Sequence, residues 1–481
     1  MIKLTISIEN FVNDYVESLL QKEAGLFVGA GLSFDSGMPS WKELLRKPAL
    51  SIGLDVEKEE DLVTVAQYFV NESNYARTRI NKEIKSKLKG LANINNNQKI
   101  LAQLPIDTIW TTNYDNLLER AFEENGKIVD VKRNKNDFTS SPLNHEVTFY
   151  KMHGDVSNVN GTVITRREYE EYDINFEMYV TALKSDLVRK TFLFIGYSFQ
   201  DPNLRYILSQ IRLLLGNSPR EHYFFIKKIE KNLNESEADF KYRENKQNLQ
   251  IKDLERYNIK AVEIDSYNQI SDILNKIKLK VNQNHILISS AQFAQLDISH
   301  NKLNQLLEKL SYELVKEGNV IVNGYGWNSG NAIIKGALMA IMEDSSKRMN
   351  DYLKVFPFPQ PDDQDDRESL KIKWTKLRNE MIDNCGIAIF VSGNKNQDGT
   401  ITISNGMIEE FEISKRKGVV PVPVGQSGGA SKTISEIVSQ DYNLYYKDNT
   451  DLINKVSKLN EYSSVDDIVS RLKNIILAIQ N

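Results

Sequence analysis

Apolar residues at Phe11, Val12, Tyr15, Val16, Leu19 and Leu20 recur at helical spacing and give one buried face. The next apolar run is short and continuous. "AGLFVGAG" reads as a buried strand that enters a glycine turn. "WKELLRKPAL" returns to the helical pattern, and helices dominate through Leu91. "DTIWTT" (Asp107–Thr112) is a strand, and Leu117, Leu118, Ala121 and Phe122 mark a helix that Asn125-Gly126 stops. "VTFYKM" (Val147–Met152), "TFLFIGY" (Thr191–Tyr197), "HYFFIK" (His222–Lys227) and "KAVEI" (Lys260–Ile264) read as further strands. Helical patterns lie between several of them, which predicts a parallel sheet with helices on both faces.

The pattern then starts again. "HILISS" (His285–Ser290), "NVIVNGYG" (Asn319–Gly326), "LKVFPF", "GIAIFVSG" (Gly386–Gly393) and "GVVPVPVG" (Gly418–Gly425) are strands, with amphipathic helices such as "LNQLLEKLSYELVKEG" among them. The expectation is α/β throughout, in two Rossmann-type domains, one over residues 1–283 and one over 284–481.

Composition narrows the functional classes. The chain has 481 residues, enough for two or three domains, and 41% hydrophobic against 26% charged residues lets it bury real cores. Lys plus Arg is 61 against 65 Asp plus Glu, a net of −4, so there is no basic footprint for nucleic acid. No apolar run reaches the roughly 18–20 residues that cross a bilayer. The start, "MIKLTISIENF", lacks the apolar core of a secretion signal, so a cytoplasmic protein is expected. Cys385 is the one cysteine, which excludes a disulfide framework or a cysteine-built zinc site within one chain.

Four polar segments sit where strands end. "GAGLS" offers backbone N–H groups to a pyrophosphate beside a helix N-terminus, although on this motif alone an ordinary tight turn is the better reading. "TTNYDN" puts Asn113 and Asp115 at a strand-to-helix junction, where helix capping is the plainer alternative. "KMHGD" puts His153 at a strand end, where an isolated histidine is more often structural, and "GYSFQDPN" (Gly196–Asn203) is a further polar turn. Ligands of α/β sheets bind at the carboxyl ends of strands, so one crevice would collect all four.

In this order the four segments resemble the sirtuin-type NAD-binding fold over about 280 residues. Sirtuin deacylases carry a four-cysteine zinc module that a single cysteine cannot supply, and "PSWKE" stands where the family has a "PDFR"-like stretch. The resemblance therefore implies the zinc-free branch, whose members cleave NAD without an acyl-lysine substrate. It implies Asn113 and His153 as catalytic, Asp115 at the nicotinamide ribose or carboxamide, and Ala30, Gly31, Ser33, Gly196 and Ser198 lining NAD. No metal is needed. The N-glycosidic bond breaks through an oxocarbenium-like transition state, as in glycoside cleavage generally.

In the second half, "NGYGWNSGN" spaces Gly324, Gly326 and Gly330 close to a dinucleotide loop, with a ligand-free glycine turn as the even alternative. Arg378 and Lys395 are cations suited to phosphates, or else parts of a solvated face. This half resembles SLOG domains, sensors related to phosphoribohydrolases. Gly406 and Glu410 remain of the catalytic loop of those enzymes, but its paired glycines and Thr do not, which implies binding without catalysis. Both halves together resemble the effector family of Thoeris antiphage defence. That resemblance implies a cyclic ADP-ribose isomer as activator, contacted by Arg378, Lys395 and Glu410 with Ser289 and the Gly324–Gly330 loop nearby. It also implies NAD depletion on binding, a TIR-domain enzyme that makes the activator, and a homo-oligomer, a tetramer that can stack into filaments. The competing readings are a non-catalytic nucleotide sensor, a sirtuin-type protein deacylase, and a phosphoribohydrolase in the second half.

Overall fold

The computed structural model describes residues 5–88, 92–197, 199, 202–215, 220–233, 235–294, 298–326, 328–359, 367–383, 385–397, 399–461 and 463–480. The chain divides into two compact units, Met1–Lys278 and Leu279–Asn481.

The first unit is built on eight strands: β1 (Thr5–Ile6), β2 (Ala24–Val28), β3 (Thr108–Thr111), β4 (Val129–Lys132), β5 (Val147–Lys151), β6 (Thr191–Ile195), β7 (His222–Lys227) and β8 (Ile259–Ile264). Their order is β1-β8-β7-β6-β2-β3-β5-β4, with every pairing parallel. From the central β2 the chain moves to β3 on one side and later returns to β6 on the other. The strand order reverses there, and such a reversal opens a crevice at the carboxyl ends. β2 and β6 are buried at every position, as an all-parallel sheet covered on both faces requires.

Two of these strands escape the hydrophobic pattern. β1 has two residues. β4, "VDVK", is inverted: its valines are half-buried, while Asp130 and Lys132 are buried and form an ion pair at 2.8 Å. Lys132 Nζ also donates to the carbonyls of Asp137 (2.6 Å) and Ser140 (2.8 Å), so this buried charge is fully engaged.

Aromatic rings fill one side of the sheet. Trp110 stacks on Tyr150 with ring centroids 4.2 Å apart, and its Nε1 donates to Asp186 at 3.0 Å. A second, smaller core belongs to the helices Trp41–Ser51, Leu62–Asn71 and Thr78–Leu88, inserted between β2 and β3. It joins Leu45, Ala66, Phe69 and Ile84 to Tyr114, Val159 and Ile164, so it packs directly on the loops that follow β3 and β5. Arg77 pins the loop after β5, donating to Thr162 O (2.8 Å) and Oγ1 (2.9 Å) and pairing with Glu168.

The second unit carries β9 (His285–Gln292), β10 (Val320–Asn323), β11 (Leu353–Val355), β12 (Ile387–Gln397), β13 (Thr400–Ile403) and β14 (Val420–Val424). β11-β10-β9-β12 run parallel in that order, and β14 pairs parallel with the first half of β12. The strand order again reverses, between β9 and β12. The far end of β12 continues as an antiparallel hairpin with β13, whose half-exposed residues give no core pattern to read. Helices His300–Lys316 and Gly330–Met342 pack closely because Gly336 has no side chain: a Cβ there would lie 2.0 Å from Glu308 O. Among the described residues no helix is long and apolar enough to cross a membrane.

Candidate active site and nucleotide-binding crevices

The four polar segments of the first unit follow β6, β2, β3 and β5, four neighbours in the sheet. Backbone approach holds the first two together. Gly29 N donates to Ile195 O (3.0 Å) and Gly31 N to Gly196 O (3.0 Å). A Cβ on Gly29 would lie 2.3 Å from Gly196 O, and one on Gly196, whose φ is +65°, 2.3 Å from Leu32 N. Only glycine fits at these two positions, because the opposing atoms are backbone and cannot swing away. The chain then continues as a 3-10 helix, Ala30–Ser36, rather than an α-helix.

Asn113 reaches into this junction. It is buried, and its Nδ2 donates to Gly29 O (3.1 Å) and to Ser33 Oγ (3.4 Å). Its own N–H is held by Thr111 Oγ1 at 3.0 Å. The amide orientation is therefore fixed, and its Oδ1 is buried with no hydrogen-bond partner among the described residues. Ser33 is buried too and receives a long contact from Gln98 Nε2 at 3.5 Å. Asp115 serves as a cap: its Oδ1 accepts from Leu117 N at 3.1 Å, at the start of the helix Leu117–Glu124. His153 is buried, with the rings of Tyr169 and Tyr172 edge-on at 5.5 and 6.3 Å. Its carbonyl accepts from Val163 N at 2.9 Å. Ala30 begins the 3-10 helix and Gly196 directly follows β6, while Ser198 lies outside the described residues.

Beneath this crevice is a charged cluster: Lys151 and Asp155 are the two ends of "KMHGD", and the motif shows neither their pairing nor Glu119. Lys151, the last residue of β5, is fully buried. Its Nζ meets Glu119 Oε1 (2.8 Å) and Asp155 Oδ2 (2.8 Å) and donates to the Asp115 carbonyl. Burial pushes the Glu119 carboxyl up, against the pull of Lys151. Asp155 goes the other way: burial raises it, but Lys151 and the Ser157 hydrogen bonds outweigh that and leave it low. The one readable signal was a lysine on the inward face of an alternating strand, V-T-F-Y-K.

The second unit assembles its site from β9 and the helices Arg367–Asp383 and Asn405–Lys417. Ser289 Oγ donates to Glu410 Oε2 at 2.7 Å, both buried. Arg378 lies 3.6 Å from Glu410 Oε1, donates to Glu409 Oε2 at 2.8 Å, and sits over the Phe358 ring at 4.9 Å. Burial pushes the Glu410 carboxyl up, with Ser289 and Arg378 opposing it. Gly324 borders the same ring: a Cβ there would be 2.7 Å from Phe358 Cε2. Gly326 passes against Ser290 O, where a Cβ would be 2.0 Å away, and Gly330 lies against Tyr325. Ser329 Oγ donates to Ser290 O at 2.6 Å, whereas the Ser290 hydroxyl is buried without a hydrogen-bond partner among the described residues. Lys395 lies opposite Thr402 in the β12–β13 hairpin and makes no ion pair among the described residues. Sequence reasoning missed Glu409 and Phe358, because neither belongs to a glycine loop. Among the described residues no group of three or more His, Cys, Asp or Glu could hold a metal ion.

Known proteins share this organisation. Residues 107–252 match the SIR2-like domain, and residues 269–479 match the Sir2- and TIR-associating SLOG family. "NAD(+) hydrolase ThsA" of Cytobacillus dafuensis is 38% identical over 98% of this chain and 97% of its own length. The chain belongs to the ThsA family of NAD(+) hydrolases. The ThsA of Bacillus cereus (strain MSX-D12) is 37% identical over the whole of both chains, and that of Enterococcus faecium 39% identical over 98% of each. Similarity to ThsA therefore covers both crevices, not the SIR2-like part alone.

Proposed function

We propose that the protein is an NAD-degrading effector of antiphage defence, which hydrolyses NAD to nicotinamide and ADP-ribose when a cyclic ADP-ribose isomer binds its second unit. NAD hydrolysis follows from membership of the ThsA family. The observation that carries the assignment of the chemistry to the first crevice is Asn113. Its Nδ2 is tied to Gly29 O, so its unpartnered Oδ1 is presented as an acceptor. That acceptor suits the N–H of the nicotinamide carboxamide or a proton of the attacking water.

In the reaction, the bond from nicotinamide to ribose breaks and the electron pair leaves with nicotinamide. Water adds to the ribose carbon and loses one proton. His153 is the candidate to hold a ribose hydroxyl and take a proton, a role that contributes ~10²–10⁴-fold. Ala30, Ser33 and Gly196 line the cofactor side, with Ser198 and Asp115. Gly31 shapes the crevice, since its N–H is spent on Gly196 O.

The proposed activator site is Ser289, Arg378, Glu410 and the Gly324, Gly326 and Gly330 loop, with Lys395 reaching the same ligand from the hairpin. Arg378 supplies a guanidinium fork for a pyrophosphate. A TIR-domain enzyme as the source of the activator accords with the TIR-associating family matched by the second unit. A tetramer is the expected assembly, on the resemblance alone, and the cytoplasm the expected location.

The test is chromatography of NAD incubated with purified protein, with and without cyclic ADP-ribose isomers. Nicotinamide and ADP-ribose should appear in the activated sample. NAD bound but unchanged would favour a sensor, and product formed only with an acylated peptide would favour a deacylase.

A further inference from the structure

Besides a farther link, from Tyr114 Oη to Val163 O at 2.7 Å, three links tie residues 111–115 after β3 to residues 151–156 at the end of β5. Met152 N donates to Thr111 O (3.1 Å), and Val156 N donates to Tyr114 O (2.9 Å). The third link is a side chain, Lys151 Nζ on the Asp115 carbonyl. Asn113 lies between the first link and the other two along its loop. His153 lies between Met152 and Val156 along the other. The two proposed catalytic residues are therefore framed by the same three contacts.

The lysine is an unusual choice for such a link. A fully buried ammonium loses its hydration, and it is retained only where oxygens replace that water. Here Glu119, Asp155 and the Asp115 carbonyl do so. Burial pulls the ammonium's pKa down, and Glu119, Asp155 and Asp115 together outweigh that and raise it. The lysine thus remains charged. Each carboxylate is itself anchored in one of the two segments. Glu119 is on the helix that Asp115 caps, and Asp155 Oδ1 accepts from Ser157 N (2.8 Å) just after His153. Arg133 adds a distant contact to Asp155 at 3.8 Å.

We propose that Lys151 is a positioning residue of the NAD-cleaving crevice: its buried ammonium, clasped by Glu119 and Asp155, holds the Asp115 carbonyl and so sets the separation of Asn113 and His153. The proposal rests on the assignment of catalysis to those two residues. The two backbone links persist without the lysine, so its loss loosens the crevice without undoing the sheet. A misplacement of about 1 Å at a reacting centre costs ~10²-fold in rate.

The experiment separates the tether from the burial of charge. Lys151→Met alone leaves Glu119 buried without its cation and Asp155 with only the distant Arg133, and reduced thermal stability is expected. Lys151→Met combined with Glu119→Gln restores the net charge of the cluster but not the tether. In the full-length double variant the melting temperature should recover towards wild type. Its kcat for NAD should stay down by ~10²-fold, with KM moving far less. Amide hydrogen exchange of residues 112–116 and 153–157 should be faster than in wild type. A double variant that regains both wild-type kcat and wild-type exchange in these segments would overturn the proposal. Exchange is read without turnover, so it decides the tether even if wild type leaves NAD intact. That last result would count against the catalytic reading, not against Lys151.

Discussion

The two units use the same device differently. Each has a largely parallel sheet whose strand order reverses, and each has a glycine loop close by: after β2 at the reversal in the first unit, and after β10, against Ser290 of β9, in the second. In the first unit the loops meet backbone to backbone, Gly29 and Gly31 against Gly196, and the side chain at the junction is the uncharged amide of Asn113. In the second unit the centre is ionic: Arg378 with Glu409 and Glu410, above Phe358. Close backbone contact without mobile charge fixes geometry, which bond cleavage needs. A cation already paired with carboxylates can exchange partners, which suits a ligand that must arrive and leave. On the proposed reading, two Rossmann-like sheets would serve a reaction in one unit and a reversible anion in the other.

The sharpest way to break the comparison is at the glycines. Gly196→Ala forces a Cβ against Leu32 N at 2.3 Å in a left-handed backbone conformation. We expect loss of about 3 kcal/mol or more and no NAD cleavage, read by urea unfolding and by chromatography. Gly324→Ala meets side chains alone, the edge of the Phe358 ring at 2.7 Å and Met381 Sδ at 3.5 Å, and should be much milder because side chains can turn. Equal losses would show that both loops are equally rigid.

Next are the residues assigned to chemistry. Asn113→Ala and His153→Ala should each lower kcat by ~10²–10⁴-fold while thermal unfolding stays cooperative. Near wild-type turnover in either would remove that residue from the mechanism.

A smaller effect is expected in the ionic crevice. Arg378→Ala should weaken activator binding by ~1.5–3 kcal/mol, roughly ten- to more than a hundredfold, without changing kcat at saturating activator. Glu409→Gln frees Arg378 from a half-exposed competitor and should tighten binding, by at most about 1 kcal/mol. Calorimetry on the full-length protein checks both, and a weaker-binding Glu409→Gln would mean that Glu409 orients the arginine instead of competing for it.

The last prediction asks whether acid distinguishes the units. His222, in the first unit, is fully buried between Phe192 and Phe194, and its Nδ1 accepts from Phe192 N at 3.1 Å. Burial, with Arg220 nearby, lowers its pKa from the usual 6.5 to about 3. The unfolded chain therefore binds a proton that the folded chain refuses. Stability from this group is present above pH 6.5 and is lost as pH falls towards 3, at roughly 1.4 kcal/mol per pH unit. His222→Asn keeps an acceptor and should flatten urea midpoints between pH 7 and 4. An unchanged slope would assign the acid sensitivity to other groups.

Much of this molecule was legible from its pattern. Apolar runs such as "TFLFI" and "HYFFIK" became strands because a buried parallel strand needs little besides continuous hydrophobicity. β4 was illegible for the converse reason: its inward residues are Asp130 and Lys132, whose mutual pairing at 2.8 Å replaces apolar burial. The polar segments announced themselves by falling at strand ends. Their individual meanings were open, since Asn and Asp cap helices as readily as they bind ligands, and Asp115 does cap one.

By itself, then, the sequence determined most of the element types, the α/β class, the single-cysteine exclusion of a cysteine-built zinc site, and the places where polar residues meet strand ends. These depend on local composition and on the periodicity of neighbours along the chain. Only the tertiary structure decided that Gly31 spends its N–H on Gly196, that Glu409 rather than solvent faces Arg378, and that Lys151 sits clasped beneath the crevice. Those contacts join residues separated by 31 to 165 positions, or rest on a side chain buried by the packing of a helix on a strand. Burial and pairing are properties of a place in three dimensions. The same lysine on an exposed face would be one more solvated charge.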